Sequence, residues 1–215
     1  MSAGRVVVGL ATAAVALTTG VGALHLPAAR PALRWLMGGC PIGADLPPEQ
    51  RDLARAAAVD AVRGVGAAPT NEALGFALGV TSRDDVAAWA STEGVTCVPA
   101  RTTLRCDAVP GALAGLDGRG ELRFDFDAKQ RLVGLTGSWE VPAARGAGWV
   151  DQQGATLGEA TLSHGDAAPA WLVAGPLRQV SREYRFADYR AILTATHTGG
   201  GRVVARGAWQ TIAPG

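Results

Sequence analysis

Residues 121–139, ELRFDFDAKQRLVGLTGSW, carry the strongest structural signal in the chain. Apolar Leu122, Phe124 and Phe126 alternate with charged side chains, and a period of two is typical of a strand with one buried face. A second β-prone run, residues 131–139, follows after a short polar turn. The segment therefore predicts a β-hairpin that buries one of its two faces.

A second hairpin is predicted upstream, in residues 95–106 (VTCVPARTTLRC). Folding this segment about its midpoint places Cys97 opposite Cys106, and opposed residues of antiparallel strands have Cβ atoms about 4.5–5.5 Å apart. This separation is close to disulfide reach, so we expect a Cys97–Cys106 bond, which persists in an oxidising compartment. The competing interpretation is a metal site. The chain offers no further ligands at zinc spacing, so we expect no metal and no cofactor.

Two helices are predicted before these hairpins. Residues 48–63 begin with a proline that suits the first helical turn, and Gly64 after them is a common stop signal. Residues 82–85 (SRDD) have the form of a capping box, and their acidic pair suits a helix N-terminus. Residues 93–94 end this second helix, whose apolar side chains share one face.

The order of these elements predicts an α+β fold. Within residues 48–140, we expect a helix packed on a four-stranded antiparallel sheet that carries the hairpin disulfide. Residues 141–215 can be interpreted in the same order, as a weak helix over residues 147–163 followed by four β-prone runs. Those runs cover residues 170–175, 181–186, 188–197 and 202–210. The second half is then either a second helix-plus-sheet unit in tandem or the continuation of one domain.

An apolar run precedes the folded part. Residues 6–26 contain no ionisable group except His25, and about 20 apolar residues in a helix cross the hydrocarbon core of a bilayer. The run is either a signal peptide cleaved near Ala23 or an uncleaved membrane anchor. Both interpretations predict export to a periplasmic or extracellular location, and the second tethers the protein to the inner membrane through residues 6–26.

Residues 27–47 form a linker that is rich in proline and glycine. Within it, residues 36–40 (LMGGC) are slightly similar to the lipid-attachment box of bacterial lipoproteins. That box directly follows the apolar run in lipoproteins, whereas proline and arginine residues intervene here. Lipid attachment at Cys40 is therefore the less favoured expectation, and a small side chain in a Gly-Pro turn is the favoured one.

The balance of charged residues bears on whether the protein binds nucleic acid. The 20 basic and 19 acidic residues nearly cancel, and no segment concentrates positive charge. Nucleic-acid binding requires a basic patch or stripe, so we expect no nucleic-acid partner.

The residues with catalytic potential form no recognisable motif. Residues 163–166 (SHGD), with His164, contain the residue types of a hydrolase triad, but such groups must converge in space. His197 is the other histidine beyond the apolar run. Asp125 and Asp127 resemble a carboxylate pair, which a solvated strand face explains better. We therefore expect no catalytic residues.

A family resemblance lies in residues 76–106, where a Gly-apolar-Thr motif, a helix and the cysteine hairpin follow one another. The residues that carry it are Gly79, Val80, Thr81, Val86, Cys97 and Cys106. This order resembles the opening of domains of the β-lactamase inhibitor protein type, and of small outer-membrane-assembly lipoproteins of the same shape. One extra residue lies between the motif and Val86, and the second half lacks the motif. The resemblance implies a non-enzymatic envelope domain that offers a concave sheet to another protein.

Together, these observations predict an exported bacterial envelope protein that acts by binding. The leading hypothesis is a protein-interaction module that uses a sheet surface, with another envelope protein as partner and the membrane as a second partner if the apolar run is uncleaved. The alternative is a carrier or sensor of a small apolar ligand held between helix and sheet. A hydrolase is the least favoured function.

Overall fold

The computed structural model describes residues 48–212, and the chain divides into two compact units, residues 1–56 and 57–215. Of the first unit, residues 48–56 are described, and they are helical. The apolar run, the linker and Cys40 lie outside the described residues. Between residues 48 and 212, no helix is long and apolar enough to cross a membrane.

The described residues form four α-helices and ten strands. The helices are α1 (Pro48–Asp60), α2 (Arg83–Thr92), α3 (Ala143–Gly154) and α4 (Pro169–Val173). Strands β1 (Glu72–Ala73) and β2 (Phe76–Ala77) form a small hairpin of their own. The other strands are β3 (Thr96–Pro99), β4 (Thr103–Pro110), β5 (Arg119–Phe126), β6 (Leu132–Pro142), β7 (Leu162–His164), β8 (Gln179–Arg185), β9 (Tyr189–Gly199) and β10 (Arg202–Thr211).

These eight strands build one antiparallel sheet in the order β3-β4-β5-β6-β10-β9-β8-β7. The α+β class is therefore confirmed, but the sheet is twice as wide as the four-stranded sheet predicted within residues 48–140. The two long strands β6 and β10 pair along their length, from Arg202 opposite Pro142 to Gln210 opposite Gly134. A sheet that stopped at β6 would leave a long row of unpaired N–H and C=O groups, and this pairing satisfies them.

The centre of the sheet is a glycine pair. Gly137 of β6 lies opposite Gly207 of β10, and Trp139 and Trp209 follow their glycines by two residues. Each tryptophan ring folds back over its own glycine, and a Cβ added at either glycine would overlap that ring. The two antiparallel strands therefore repeat the same Gly-x-Trp packing, and a local twofold axis between the two glycines relates one copy to the other.

Helix α2 covers the first half of one sheet face. Its Trp89 lies in a cluster with Phe76 and Phe124, whose ring centroids are 5.1–5.9 Å apart. The predicted alternation is confirmed, because Leu122, Phe124 and Phe126 are each at most 4% exposed. Burial of a side chain of this size stabilises the fold by about 1.5–3 kcal/mol.

Helix α3 covers the second half of the same face. Gly146 lets the helix approach the sheet closely, since a Cβ there would overlap the side chain of Val203. Val150 is fully buried, and the buried Trp149 donates a hydrogen bond of 2.9 Å from Nε1 to the carbonyl oxygen of Ala114. One sheet face is thus closed by helices along most of its width.

The predicted capping box is confirmed at the start of α2. The Ser82 hydroxyl oxygen accepts from the Asp85 N–H at 3.2 Å, and the Ser82 N–H donates to the Asp85 carboxylate at 2.8 Å. The Ser82 hydroxyl also donates to this carboxylate, at 2.7 Å. The hydrogen bonds from the Ser82 side chain and backbone lower the pKa of Asp85 below its ordinary value.

Two predictions for the second half are wrong. Residues 170–175 are not a strand but contain most of α4, because Pro169 takes the first helical position and Leu172 is buried at the helix underside. The helix predicted over residues 147–163 is α3, which begins at Ala143 directly after β6 and ends at Gly154. The missing fourth strand is β7, which pairs with β8.

Candidate functional site

The second face of the eight-stranded sheet is left uncovered by residues 57–212. Burial alternates along the central strands, so that every second side chain points away from the helices and is half-buried or exposed. We call this surface the open face. Its side chains on the central strands are Glu121, Arg123, Asp125, Thr136, Ser138, Glu140, Arg190, Ile192, Thr194, Thr196, Arg202, Val204, Arg206 and Ala208.

Two depressions lie side by side on the open face, with volumes of about 370 and 480 Å³. Both are lined by Val204 and Arg206 of β10, so the central strand forms the ridge they share. Thr136 and Ser138 line the first, and Thr194 lines the second. The first depression is also lined by Arg105, Glu121 and Arg123, so hydroxyl and short aliphatic side chains around Arg206 adjoin charged side chains on that side.

The charged side chains around this centre are held in ion pairs. On one side, Arg105 lies 3.2 Å from both Asp107 and Glu121, and Arg123 lies 2.8 Å from Asp125. These side chains are largely solvent-exposed, so water and salt screen each pair and it contributes little to stability. Their effect is to fix the positions of the charges on the surface.

On the other side, Glu183 accepts from two arginines. Its carboxylate lies 2.7 Å from Arg185 and 2.8 Å from Arg190. Burial alone would raise the pKa of Glu183, but the hydrogen bonds from both guanidinium groups outweigh it and the pKa is lowered. Glu183 is thus a carboxylate at neutral pH, with both arginines oriented by it.

Arg206 differs from these arginines. Its side chain is exposed, and it has no ion pair or side-chain hydrogen bond within residues 48–212. Ser138 and Thr194 lie directly opposite it on the two neighbouring strands. No local sequence pattern identifies Arg206, because its lack of a partner depends on side chains from several strands.

Aromatic side chains are absent from the open face within the described second unit. The rings of Trp139 and Trp209 lie on the helix side, where Trp139 is 6.4 Å from Trp149. The space between the helices and the sheet is filled by such buried side chains. The open face therefore presents charged, hydroxyl and short aliphatic side chains, with Val204 and Ile192 as its main aliphatic groups.

The structure does not bring the candidate catalytic residues together. His164 ends β7 on the outer edge of the sheet and is exposed, whereas His197 of β9 is 8% exposed on the helix side. His197 Nδ1 lies 2.8 Å from the carbonyl oxygen of Gly175, so Nδ1 carries the proton, and Nε2 has no partner among the described residues. Asp166 accepts from the N–H of Ala168 at 2.8 Å and so shapes a local turn.

The two aspartates of β5 also separate. Asp125 pairs with Arg123 on the open face, as described above. Asp127 lies in the turn after the strand, where its carboxylate accepts from the backbone N–H groups of Lys129 and Arg131, both at 2.8 Å. Asp125 therefore belongs to a surface ion pair, and Asp127 stabilises a turn.

The cysteine hairpin lies at the first edge of the sheet. Cys97 of β3 is directly opposite Cys106 of β4, which is the predicted register. The structure joins the two sulfurs in a disulfide, with Cα atoms 4.0 Å apart, and Cys106 is fully buried. The bond attaches the short edge strand β3 to the main sheet.

The chain matches no protein-family model, no curated protein and no solved structure. The resemblance of residues 76–106 to inhibitor-type domains therefore stays a prediction.

Proposed function

We propose that the protein is a non-enzymatic interaction module of the bacterial envelope, which binds another envelope protein on the open face. The observation that carries this proposal is the asymmetry of the sheet. One face is covered by helices, and the other is exposed and has two depressions on either side of β10.

The size of the open face suits a protein partner. Six neighbouring strands at about 4.8 Å spacing and eight residues at about 3.3 Å rise give a surface of roughly 600 Å² before curvature. A standard interface buries about 800 Å² on each partner, so this face supplies most of one. Neither depression is enclosed by the described residues, which favours a protruding protein segment over a sequestered small molecule.

The side chains of the open face are already ordered. Threonine has a restricted χ1 angle. In addition, the Thr194 hydroxyl donates to the Arg206 carbonyl oxygen, and the Thr196 hydroxyl accepts from the Gln179 side-chain amide. The paired arginines are also fixed by their carboxylates. Binding to such a surface requires little additional ordering, and this preorganisation favours affinity.

Two features support an arrangement of two helix-plus-four-strand units in tandem. Helix α2 precedes β3 to β6, and helix α3 precedes β7 to β10. The last strands of the two sets meet at the Gly137–Gly207 pair. This arrangement agrees with what the resemblance to inhibitor-type domains implies, a sheet surface offered to another protein.

Export to an oxidising compartment is part of the proposal. The apolar run of residues 6–26 supports it as a signal peptide or anchor, and the Cys97–Cys106 disulfide supports it independently. The partner is then a protein of the same compartment.

A small-ligand carrier is the second candidate, and one depression favours it. This depression, of about 350 Å³, lies between the end of α4 and the end of β9. Val173 and Leu177 line it and are 38% and 79% exposed, so it presents two apolar side chains to a ligand. Leu177→Asp should then abolish uptake of a hydrophobic fluorescent probe, whereas a variant of the open face should not.

The leading proposal is tested by site-specific photo-cross-linking in the native host. A photoreactive amino acid replaces Ile192 on the open face or, as the matched control, the exposed Ala144 on α3. We expect a discrete protein adduct from position 192 and none from position 144. Absence of an adduct at 192, or equal adducts at both positions, would contradict the proposal.

A further inference from the structure

We infer that Arg206 is the anchor point of the open face and that the partner presents a carboxylate to it, from an aspartate or glutamate on a protruding loop. This inference rests on the proposed function and adds the chemistry of the partner. It follows from the charges of the open face, the groups beside Arg206 and the form of the two depressions.

One arginine of the open face has no side-chain partner among residues 48–212. Five of its seven arginines lie within 4.0 Å of a carboxylate: Arg105, Arg123, Arg185, Arg190 and Arg202. A sixth, Arg119 at the end of β5, donates to the carbonyl oxygen of Ala108 at 2.9 Å. Arg206 has no such partner among residues 48–212, although it lies on the central strand. The unmatched positive charge is therefore at the middle of the surface and not at its rim.

The neighbours of Arg206 carry hydroxyl groups, of which that of Thr194 already donates to the Arg206 carbonyl oxygen. Ser138 and Thr194 flank it across the sheet, and Thr136 lies one step further along β6. The hydroxyls of Thr136 and Ser138 have no hydrogen-bond partner within the described part of the chain. A carboxylate placed above Arg206 would meet the guanidinium fork and at least one hydroxyl, an arrangement that gives strong, charge-assisted hydrogen bonds.

A single carboxylate fits this site better than a polyanion. The open face holds five carboxylates beside six arginines other than Arg206, so its net charge away from Arg206 is only about one positive unit. A nucleic acid or an anionic lipid surface would meet these carboxylates on both sides. An acidic side chain flanked by neutral residues would meet only the central row of donors.

The depressions favour a protruding loop as the carrier of that carboxylate. They lie on either side of Arg206, with volumes of about 370 and 480 Å³. Recesses of roughly 300–1,000 Å³ are typical of sites that receive a compact group of atoms. A loop whose acidic tip reaches Arg206 can place a flanking side chain in each depression, and Val204 offers an aliphatic contact to both.

The test uses the full chain with the photoreactive residue at position 192, combined with changes at Arg206. We expect Arg206→Glu to lower the adduct yield at least tenfold and Arg206→Lys to lower it less, because lysine keeps the charge but not the planar fork. Arg145→Glu on α3 is the control, since it makes the same charge change on an exposed helix position. It should leave the yield unchanged. Unaltered thermal unfolding of the Arg206 variants separates lost binding from lost folding.

The identity of the contact is read from the adduct itself. Mass spectrometry should map the cross-link to a partner segment with an aspartate or glutamate within a few residues. An arginine at that acid should restore at least part of the adduct with Arg206→Glu. If the yield at position 192 does not depend on residue 206, this inference is wrong while the proposed function stands. If no adduct forms at position 192 in any variant, both are wrong.

Discussion

The two faces of strand β10 differ in what constrains them. Toward the helices, Val203, Ala205 and Trp209 are each at most 4% exposed, so packing determines these residues. Toward the other side, Val204 and Arg206 alternate with them and meet no covering element of the second unit. Because side chains of a strand alternate between faces, one strand serves stability on one side and binding on the other. Changes on the two faces should therefore have separable effects.

The largest expected effect is on the core face. Trp209→Ala removes a buried ring and leaves a cavity over Gly207, which should lower the free energy of unfolding by about 3–5 kcal/mol. Arg206→Ala, three residues earlier on the same strand, should change it by less than about 0.5 kcal/mol. Urea denaturation of both variants measures the difference. Comparable destabilisation by both changes would show that the two faces are not independent.

The disulfide should have the next largest effect. Replacing Cys97 and Cys106 together by alanine removes a bond that closes a ten-residue loop, worth about 2.5–3 kcal/mol in the loop-entropy model. Mass spectrometry of protein from its own host, without reduction, should find the two cysteines joined. Free thiols at both positions, or an unfolding midpoint unaffected by reduction, would contradict this assignment.

The cap of α2 should have a smaller effect, because it acts on the core face only through the helix. Ser82→Ala removes the acceptor for the Asp85 N–H and should cost about 1 kcal/mol. Ser91→Ala, an exposed serine in the last turn of the same helix, should be neutral within about 0.5 kcal/mol. Thermal melts of both variants provide the comparison, and equal losses would remove the capping explanation.

The smallest effect concerns the open face and pH. Since the folded-state pKa of Glu183 is lowered, its ion pairs add stability above the pKa of the unfolded chain, and this contribution is lost as pH falls. Glu183→Gln should therefore lose less stability than the parent protein between pH 6 and pH 3. Chemical denaturation at several pH values measures this difference. A steeper loss in Glu183→Gln would reverse the sign and refute the assignment.

Local patterns predicted much of the fold. The alternation in residues 121–127 identified a buried strand face, and the spacing of Cys97 and Cys106 identified their register. Residues 82–85 identified the helix start, because a capping box involves only neighbouring residues. Each of these signals is complete within a short segment, and each agrees with the structure.

Other features depend on residues far apart in the chain. The sequence of residues 170–175 is compatible with a strand or a short helix. The helix forms because it buries Leu172. The Gly-x-Trp triplets of residues 137–139 and 207–209 are visible in the sequence. Their common packing role becomes clear only because β6 pairs with β10 and places the two glycines opposite each other. The same holds for Arg206, whose lack of an ion-pair partner within residues 48–212 depends on side chains of several strands.

If binding belongs to the open face alone, the ratio of cross-linked adduct from position 192 to that from position 144 should reveal it, in the native host and at equal expression. We expect a discrete adduct at position 192, with a yield at least ten times that at position 144. Equal yields, or an adduct only at position 144, would contradict it.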